Sequence, residues 1–208
     1  MAEPRGTVLV VDDDISVRES LKHLLRSAGW HVEAFATARE FLAHPKVEPP
    51  SCVVLDVELP DLNGLDLQRQ LIASQVSTPI IFITGYGDIP KTVQAMKAGA
   101  VEFLTKPVSS EALLSAVENA IDVSHKTRVR RQELLDLKSR FESLTPRERQ
   151  VMELVVSGLL NKQVGAELGM REVTVKGHRG QVMRKMKANS FADLVTMAAA
   201  LGVRVGSR

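Results

Sequence analysis

The sequence predicts an α/β fold, a doubly wound, five-stranded parallel sheet, followed by a linker helix and an all-α, four-helix helix-turn-helix domain. Three observations carry this expectation. Between residues 7 and 121 short apolar runs alternate with segments of helical periodicity, the pattern of βαβ units feeding a parallel sheet. From residue 144 onward the periodicity is helical throughout, punctuated by caps and glycines. The charge is also split: residues 1–121 hold 10 Lys and Arg against 16 Asp and Glu, a net −6, whereas residues 122–208 hold 17 against 9, a net +8. An acidic half suits a phosphate or metal site and a basic half suits a polyanion partner. The expected organisation is a first domain at 1–121, a helical linker at 122–143 and a second domain at 144–208.

The first apolar run, VLVVDDD at 8–14, ends in three acids. Behind it Val17, Leu21, Leu24, Leu25 and Ala28 fall on one helical face, and Gly29 ends the helix. HVEAF (31–35) reads as the second strand, and Thr37 with Glu40 three residues on forms a capping-box start for the next helix. VVLDVELP (53–60) is a buried strand that stops at Asp56 and turns through Pro60, Asp61, Asn63 and Gly64. A helix from about Gly64 to Ser74, a strand at 80–84, a helix from about Ile89 to Ala98 closed by Gly99, a strand at 101–104 and a helix after Ser109 complete the alternation. That last helical pattern continues from 111 to 142 without Gly or Pro. Its middle, HKTRVRRQ (125–132), is basic, and Leu134, Leu137, Phe141 and Leu144 then recur at three- and four-residue spacing. Such spacing suits either a short paired seam or a helix whose apolar residues pack on one of the domains.

In the basic half, Thr145, Pro146 and Glu148 open a helix that Gly158 ends. Asn161 is expected to cap a second, closed by Gly169. A third runs from about Glu172 to Lys187, and Ser190 with Asp193 opens the last. Two short helices joined at a tight Gly turn, the second carrying Lys176, His178, Arg179, Arg184 and Lys185, have helix-turn-helix dimensions. On that helix Val173, Val175, Val182 and Met186 are expected in the core.

No apolar run approaches the roughly 20 residues a membrane helix needs, and the N-terminus MAEPRG is polar, so a cytoplasmic protein without a membrane partner is expected. Cys52, the one cysteine, sits in an apolar run and reads as a buried small hydrophobe. No P-loop, zinc-ligand cluster or Ser-His-Asp arrangement is visible. A strand-end Asp such as Asp56 commonly caps the following turn. Here, however, four strand-like runs end in chemistry-bearing groups. In an open parallel sheet the carboxyl ends of the strands share a rim, so Asp12, Asp13, Asp56, Thr84 and Lys106 are expected to converge.

These residues carry a resemblance. With the acid pair Asp12-Asp13, Asp56, Thr84 and Lys106-Pro107 at these spacings, residues 7–121 resemble the receiver domain of two-component response regulators. With LTPRE, NKQV, TVK and His178, residues 144–202 resemble the DNA-binding module of the NarL/FixJ (LuxR-type) class, and TGYGDIPKTVQAMKAGAVEFLTKP (84–107) is most similar to the FixJ subgroup. The resemblance implies a phosphorylation-dependent transcriptional regulator in which Asp56 accepts a phosphoryl group from a sensor histidine kinase and promoter binding is controlled. Asp56, Lys106 and Thr84 would carry the phosphoryl chemistry. A Mg²⁺ ion would be held by Asp13, Asp56 and the Glu58 backbone carbonyl, with Asp12 acting through water and Asp14 outside. The bond from Lys106 to Pro107 is expected to be cis. Thr84 and Phe103 would be the switch, and a face with Thr92, Val93, Met96 and Lys97 would form a two-fold dimer contact on phosphorylation. The protein would not be a turnover enzyme, since the receiver catalyses only its own phosphoryl transfer and dephosphorylation.

For double-stranded DNA, the resemblance assigns the helix at 172–187 to the major groove. Thr174, Lys176 and Arg179 would touch bases or phosphates, His178, Arg184 and Lys185 would lie nearer the backbone, and Asn161 and Lys162 would anchor the preceding helix. Gly177 and Gly180 depart from the family pattern, as does Arg171 at the capping position. Each Gly inside a helix costs about 1 kcal/mol relative to Ala, and two of them leave fewer readers, so modest base specificity with salt-dependent affinity is expected. Two other readings use the same residues. A metal-dependent phosphatase also has a strand-end Asp nucleophile with an acid two residues on, the place of Glu58, but this chain lacks the accompanying Gly-Thr pattern and a cap domain. A receiver driving an RNA-binding helical module is the other.

Overall fold

The structure is a computed structural model that describes residues 5–44, 50–74, 76–85 and 89–203. The chain forms two compact units, Met1–Val129 and Arg130–Arg208. The first contains β1 (Thr7–Val11), α1 (Ile15–Ser27), β2 (His31–Phe35), α2 (Ala38–Ala43), β3 (Ser51–Asp56), α3 (Gly64–Ala73), β4 (Ile80–Thr84), α4 (Ile89–Lys97), β5 (Glu102–Thr105) and the start of α5 (Ser110–Glu142). The strands form one five-stranded sheet in the order β2-β1-β3-β4-β5, every pair parallel. This is the expected doubly wound sheet, with the last strand displaced by one residue from 101–104.

Burial on both faces explains why β1, β3 and β4 are near-continuous apolar runs. Alternate residues supply two separate cores. Val8, Val10, Val54 and Ile81 face a layer with Leu25 of α1 and Leu113 and Val117 of α5, while Leu9, Val53, Leu55 and Phe82 face Leu67 and Leu71 of α3. Each fully buried side chain of this kind contributes about 1.5–3 kcal/mol. α5 stays against the sheet as far as Ser124, whose buried hydroxyl accepts the Ser51 N–H at 3.1 Å.

Helix starts follow the capping residues in most cases. Asp14 caps α1, accepting from Ser16 and Val17 N–H at 2.7 and 3.3 Å, and Asn63 caps α3. At α2 the expected box is half formed: Thr37 accepts the Glu40 N–H at 3.1 Å, but the Glu40 carboxylate reaches the Ala36 N–H instead of that of Thr37. A distant residue completes this cap, because Asp61, in the turn after β3, accepts the Ala38 and Arg39 N–H groups at 3.1 and 2.9 Å.

The second unit holds the end of α5 with α6 (Pro146–Val156), α7 (Asn161–Leu168), α8 (Glu172–Met186) and α9 (Phe191–Ala200). Val151, Met152, Val164, Val175, Val182 and Leu194 are central to its core. Leu137 and Phe141 of α5 pack on this core, the second of the two arrangements their spacing allowed, while Leu134 is exposed. Two expectations need correction. Asn161 is the first residue of α7 and not its cap; Leu160 holds the cap position, where its N–H donates to the Gln163 side chain at 2.8 Å. Val173 is 72% exposed and takes no part in the core, since it lies on the opposite side of α8 from Val175, Val182 and Met186.

The box at α6 forms in full, with Thr145 N–H to Glu148 Oε2 at 2.7 Å and Glu148 N–H to Thr145 Oγ1 at 3.2 Å. Glu148 is buried, and Lys185 of α8 reaches its Oε2 at 2.6 Å. Burial alone would raise the carboxyl's pKa, but the hydrogen bonds from Lys185 and Thr145 outweigh it, and the result lies below the ordinary glutamate range. A depressed carboxyl pKa stabilises the fold above its unfolded value, and that contribution is lost as pH falls through the folded one. Lys185→Met is therefore expected to destabilise the second unit by about 1–2 kcal/mol at neutral pH, the ammonium being partly solvated. Circular dichroism of urea unfolding should show the deficit shrinking as Glu148 is protonated in acid.

Candidate functional site

The sheet register builds the site. Val11 of β1 pairs with Leu55 of β3, so Asp12 and Asp56 leave neighbouring strand ends together, and Thr84 of β4 pairs with Thr105 of β5, which brings Lys106 to the same rim. Asp12, Asp56 and Thr84 are 0%, 5% and 3% exposed, while Asp13 is open to solvent. Carboxylate oxygens of Asp12, Asp13 and Asp56 all lie within 4.8 Å of one another. The Lys106 ammonium lies 2.7 Å from Asp12 Oδ2 and 2.5 Å from Asp56 Oδ2. Backbone groups hold the other oxygens: Asp14 N–H donates to Asp12 Oδ1 and Glu58 N–H to Asp56 Oδ1, each at 2.9 Å. The Arg18 guanidinium donates to the Asp12 carbonyl at 2.6 Å.

Burial raises the Asp12 pKa above the ordinary aspartate value, outweighing the adjacent Lys106 ammonium and the hydrogen bond from Asp14 N–H. For Lys106 burial works downward, but the hydrogen bond to Asp56 and the neighbouring charges of Asp56 and Asp12 win, and its pKa is raised. Asp14 is held below the usual range by the α1 backbone N–H groups it caps, consistent with a structural role outside the cluster. Cys52 is pushed up to about 12 by burial, as a buried hydrophobe would be.

Three carboxylates thus face one ammonium, and Asp12 Oδ2 lies near Lys106 yet off the direction of a hydrogen bond. An excess of hard oxygen donors with an acceptor left over in a buried position fits a divalent cation such as Mg²⁺. Glu58 contributes its N–H; its carboxylate is exposed and lies 3.5 Å from Lys91 Nζ. The Thr84 carbonyl accepts the Lys106 N–H at 2.7 Å, and the Lys106–Pro107 bond is cis as expected. Phe103 is half-buried, its ring 6.1 Å from that of Phe82. On α4, Val93, Met96 and Lys97 are exposed and Thr92 is half-buried.

The sequence reading passed over Gly64 as a turn residue. A Cβ there would lie 2.4 Å from the Asp56 carbonyl oxygen and 3.1 Å from the Val57 Cα, so only glycine lets α3 start this close beneath the strand end. The turn signal marked its place, but nothing in the sequence marked the close approach.

In the second unit, Gly169 in the left-handed conformation (φ 65°) joins α7 to α8. Thr174, Lys176 and Lys162 are exposed, and His178 is half-buried. The Arg179 guanidinium donates to Asn161 Oδ1 at 3.3 Å and stacks over Phe191 at 5.0 Å from the ring centroid. Arg184 bonds the Gln181 side chain, and Lys185 is held by Glu148.

The comparisons with known proteins agree with both halves. Residues 8–118 match the response regulator receiver domain, and residues 142–198 match bacterial regulatory proteins of the luxR family. Nodulation protein W of Bradyrhizobium diazoefficiens is 53% identical over 202 residues, 97% of this chain and 89% of that protein. The transcriptional regulatory protein FixJ of the same organism is 41% identical over 199 residues, covering 96% and 97%. The chain is a response regulator of the NarL/FixJ (LuxR-type) class. Among solved structures, response regulator StyR matches with a TM-score of 0.82 at 50% identity, covering 95% of this chain and 99% of that one, and full-length FixJ from B. japonicum with 0.59 at 41%, covering 97% and 100%. This response regulator is a DNA-binding transcriptional regulator of the two-component type, whose domains imply a kinase and DNA as partners. Among the described residues no helix is long and apolar enough to cross a membrane.

Because the clash at Gly64 is with backbone, Gly64→Ala is expected to displace the Asp56 strand end and lower stability by about 1–3 kcal/mol. Beryllium fluoride titration in Mg²⁺ should show weakened binding, and chemical denaturation should show the stability loss.

Proposed function

We propose that Asp56 is the phosphoacceptor and that its phosphorylation by a sensor histidine kinase in the cytoplasm switches DNA binding. The observation that carries this reading is the Lys106 ammonium bridging Asp12 and Asp56 at neighbouring strand ends. An Asp56 carboxylate oxygen attacks the phosphorus of a phosphohistidine; a P–O bond forms, the P–N bond breaks, and the imidazole leaves. Attack on an anionic phosphoryl group requires its charge to be neutralised. Lys106 supplies one positive charge, exchanging a carboxylate partner for a phosphoryl oxygen. Asp13, Asp56 and the Glu58 carbonyl would hold a Mg²⁺ ion, with Asp12 acting through water, and the ion would supply the remaining charge neutralisation. Water later hydrolyses the acyl phosphate, so the receiver acts only on its own phosphoryl group.

Thr84 then donates to the phosphoryl group and Phe103 turns inward, reshaping the α4 face on which Thr92, Val93, Met96 and Lys97 form a homodimer contact. The phosphoryl chemistry belongs to residues 1–121 and the DNA contacts to 144–208, with 122–143 as the connecting helix. On the DNA, Thr174 and Lys176 approach base edges, and Lys162, His178 and Arg184 lie nearer phosphate. Arg179 and Asn161 act together across α7 and α8. Lys185 is reassigned from DNA to Glu148, because leaving that buried carboxylate unpaired would be costly.

Light-scattering mass in Mg²⁺, before and after beryllium fluoride, tests the first half. The mass is expected to double for the wild type and stay unchanged for Asp56→Ala and Phe103→Ala. No change in the wild type would place the output elsewhere, and a dimer of Phe103→Ala would remove the ring from the switch. For the second half, Lys162→Ala is expected to weaken binding to all duplexes alike and to reduce the slope of log affinity against log salt by about 1.

A further inference from the structure

We propose that Val173 is a specificity-determining residue that reads thymine through its C5-methyl group; this rests on α8 being the major-groove helix. Val175, Val182 and Met186 fix the inward side of α8. At about 100° per residue, Val173 and Gly177 each fall about 160° from Val175 around the axis, and Gly180 about 140°. The outward stripe of the helix therefore begins with an apolar side chain that is 72% exposed. It continues over two positions where an added Cβ would meet nothing within 4 Å.

Two of the cations on this helix are engaged within the unit. Arg179 is fixed by Asn161 and Phe191, and Lys185 by Glu148. On this side Thr174 and Lys176 remain as flanking donors, with Val173 between them and the bare backbone of Gly177. An isopropyl group offers no hydrogen bond, so the base feature it can distinguish in the major groove is the thymine methyl. Without side chains at Gly177 and Gly180, the helix can settle closer to the base edges, which brings a side chain as short as valine into contact.

The test uses the full chain with Mg²⁺ and beryllium fluoride to select duplexes from a randomised pool. The selected duplex is then remade with deoxyuridine for thymidine, one position at a time. At one position per bound domain, loss of the methyl is expected to weaken wild-type binding about fourfold. Val173→Ala, whose exposed position leaves the core untouched, should bind both duplexes alike. Equal binding of the two by the wild type, or an undiminished difference in Val173→Ala, would overturn the assignment. Failure of the pool to enrich any duplex would overturn the DNA-binding reading beneath it. Gly177→Leu should lose affinity severalfold on every duplex while α-helical content is kept; unchanged affinity would remove the close approach from the proposal.

Discussion

The Lys106 ammonium touches two carboxylates from two different strands, and much of the first unit serves to hold that contact. Asp12 is fully buried, and an isolated buried carboxylate costs several kcal/mol even after relaxation. One lysine compensates Asp12 and Asp56 together, and the N–H groups of Asp14 and Glu58 each hold one further oxygen. The arrangement is still under-neutralised, since Asp13 joins the cluster without adding a cation. That deficit gives the rim an affinity for positive charge.

Backbone placement makes the contact possible. β1 and β3 are adjacent and in register, so their terminal acids are set side by side by the ladder hydrogen bonds and not by side-chain preference. Gly64 N–H donates to the Val57 carbonyl at 2.9 Å, which draws the start of α3 under the strand end. The same turn sends Asp61 to cap α2. A short stretch after Asp56 thus anchors two helices and the Asp56 backbone itself, which is why a methyl group at Gly64 would be felt at the carboxylate.

Much of this was legible in the sequence, for a physical reason. Strand ends in a parallel sheet must share a rim, so apolar runs ending in Asp12, Asp56, Thr84 and Lys106 announce a converging site before any coordinates exist. Local capping signals held in full at Thr145 and Glu148, but only half at Thr37 and Glu40, and Asn161 falls one residue inside its helix. Contacts between residues distant in sequence were not legible: Asp61 completing the α2 cap, Arg179 lying between Asn161 and Phe191, and the backbone approach at Gly64 depend on tertiary placement. Valine is usually buried, but the 100° spacing per residue that puts Val175, Val182 and Met186 on one side of α8 puts Val173 on the other, so composition misleads here where helical phase does not. Gly177 and Gly180, noticed in the sequence as departures, acquire meaning only once they are seen to share its outward face.

Among the described residues, Lys106 and Lys185 both pair with buried carboxylates, and comparing them separates a site from a staple. Lys185 pairs with one carboxylate, that of Glu148, and also donates to the Ser143 carbonyl at 3.3 Å; Thr145 N–H donates to the same carboxylate, and the two charges cancel. The pair holds α8 against the start of α6. Lys106 meets two acids with a third beside them, and one buried oxygen, Asp12 Oδ2, takes no well-directed hydrogen bond. A cation or an anionic phosphoryl group entering there changes partners that are already imperfectly matched. Burial and ion pairing are common to both lysines, so neither marks function by itself. What distinguishes the rim of the sheet is uncancelled charge with an exposed edge at Asp13, and it is that imbalance which a signal can act upon.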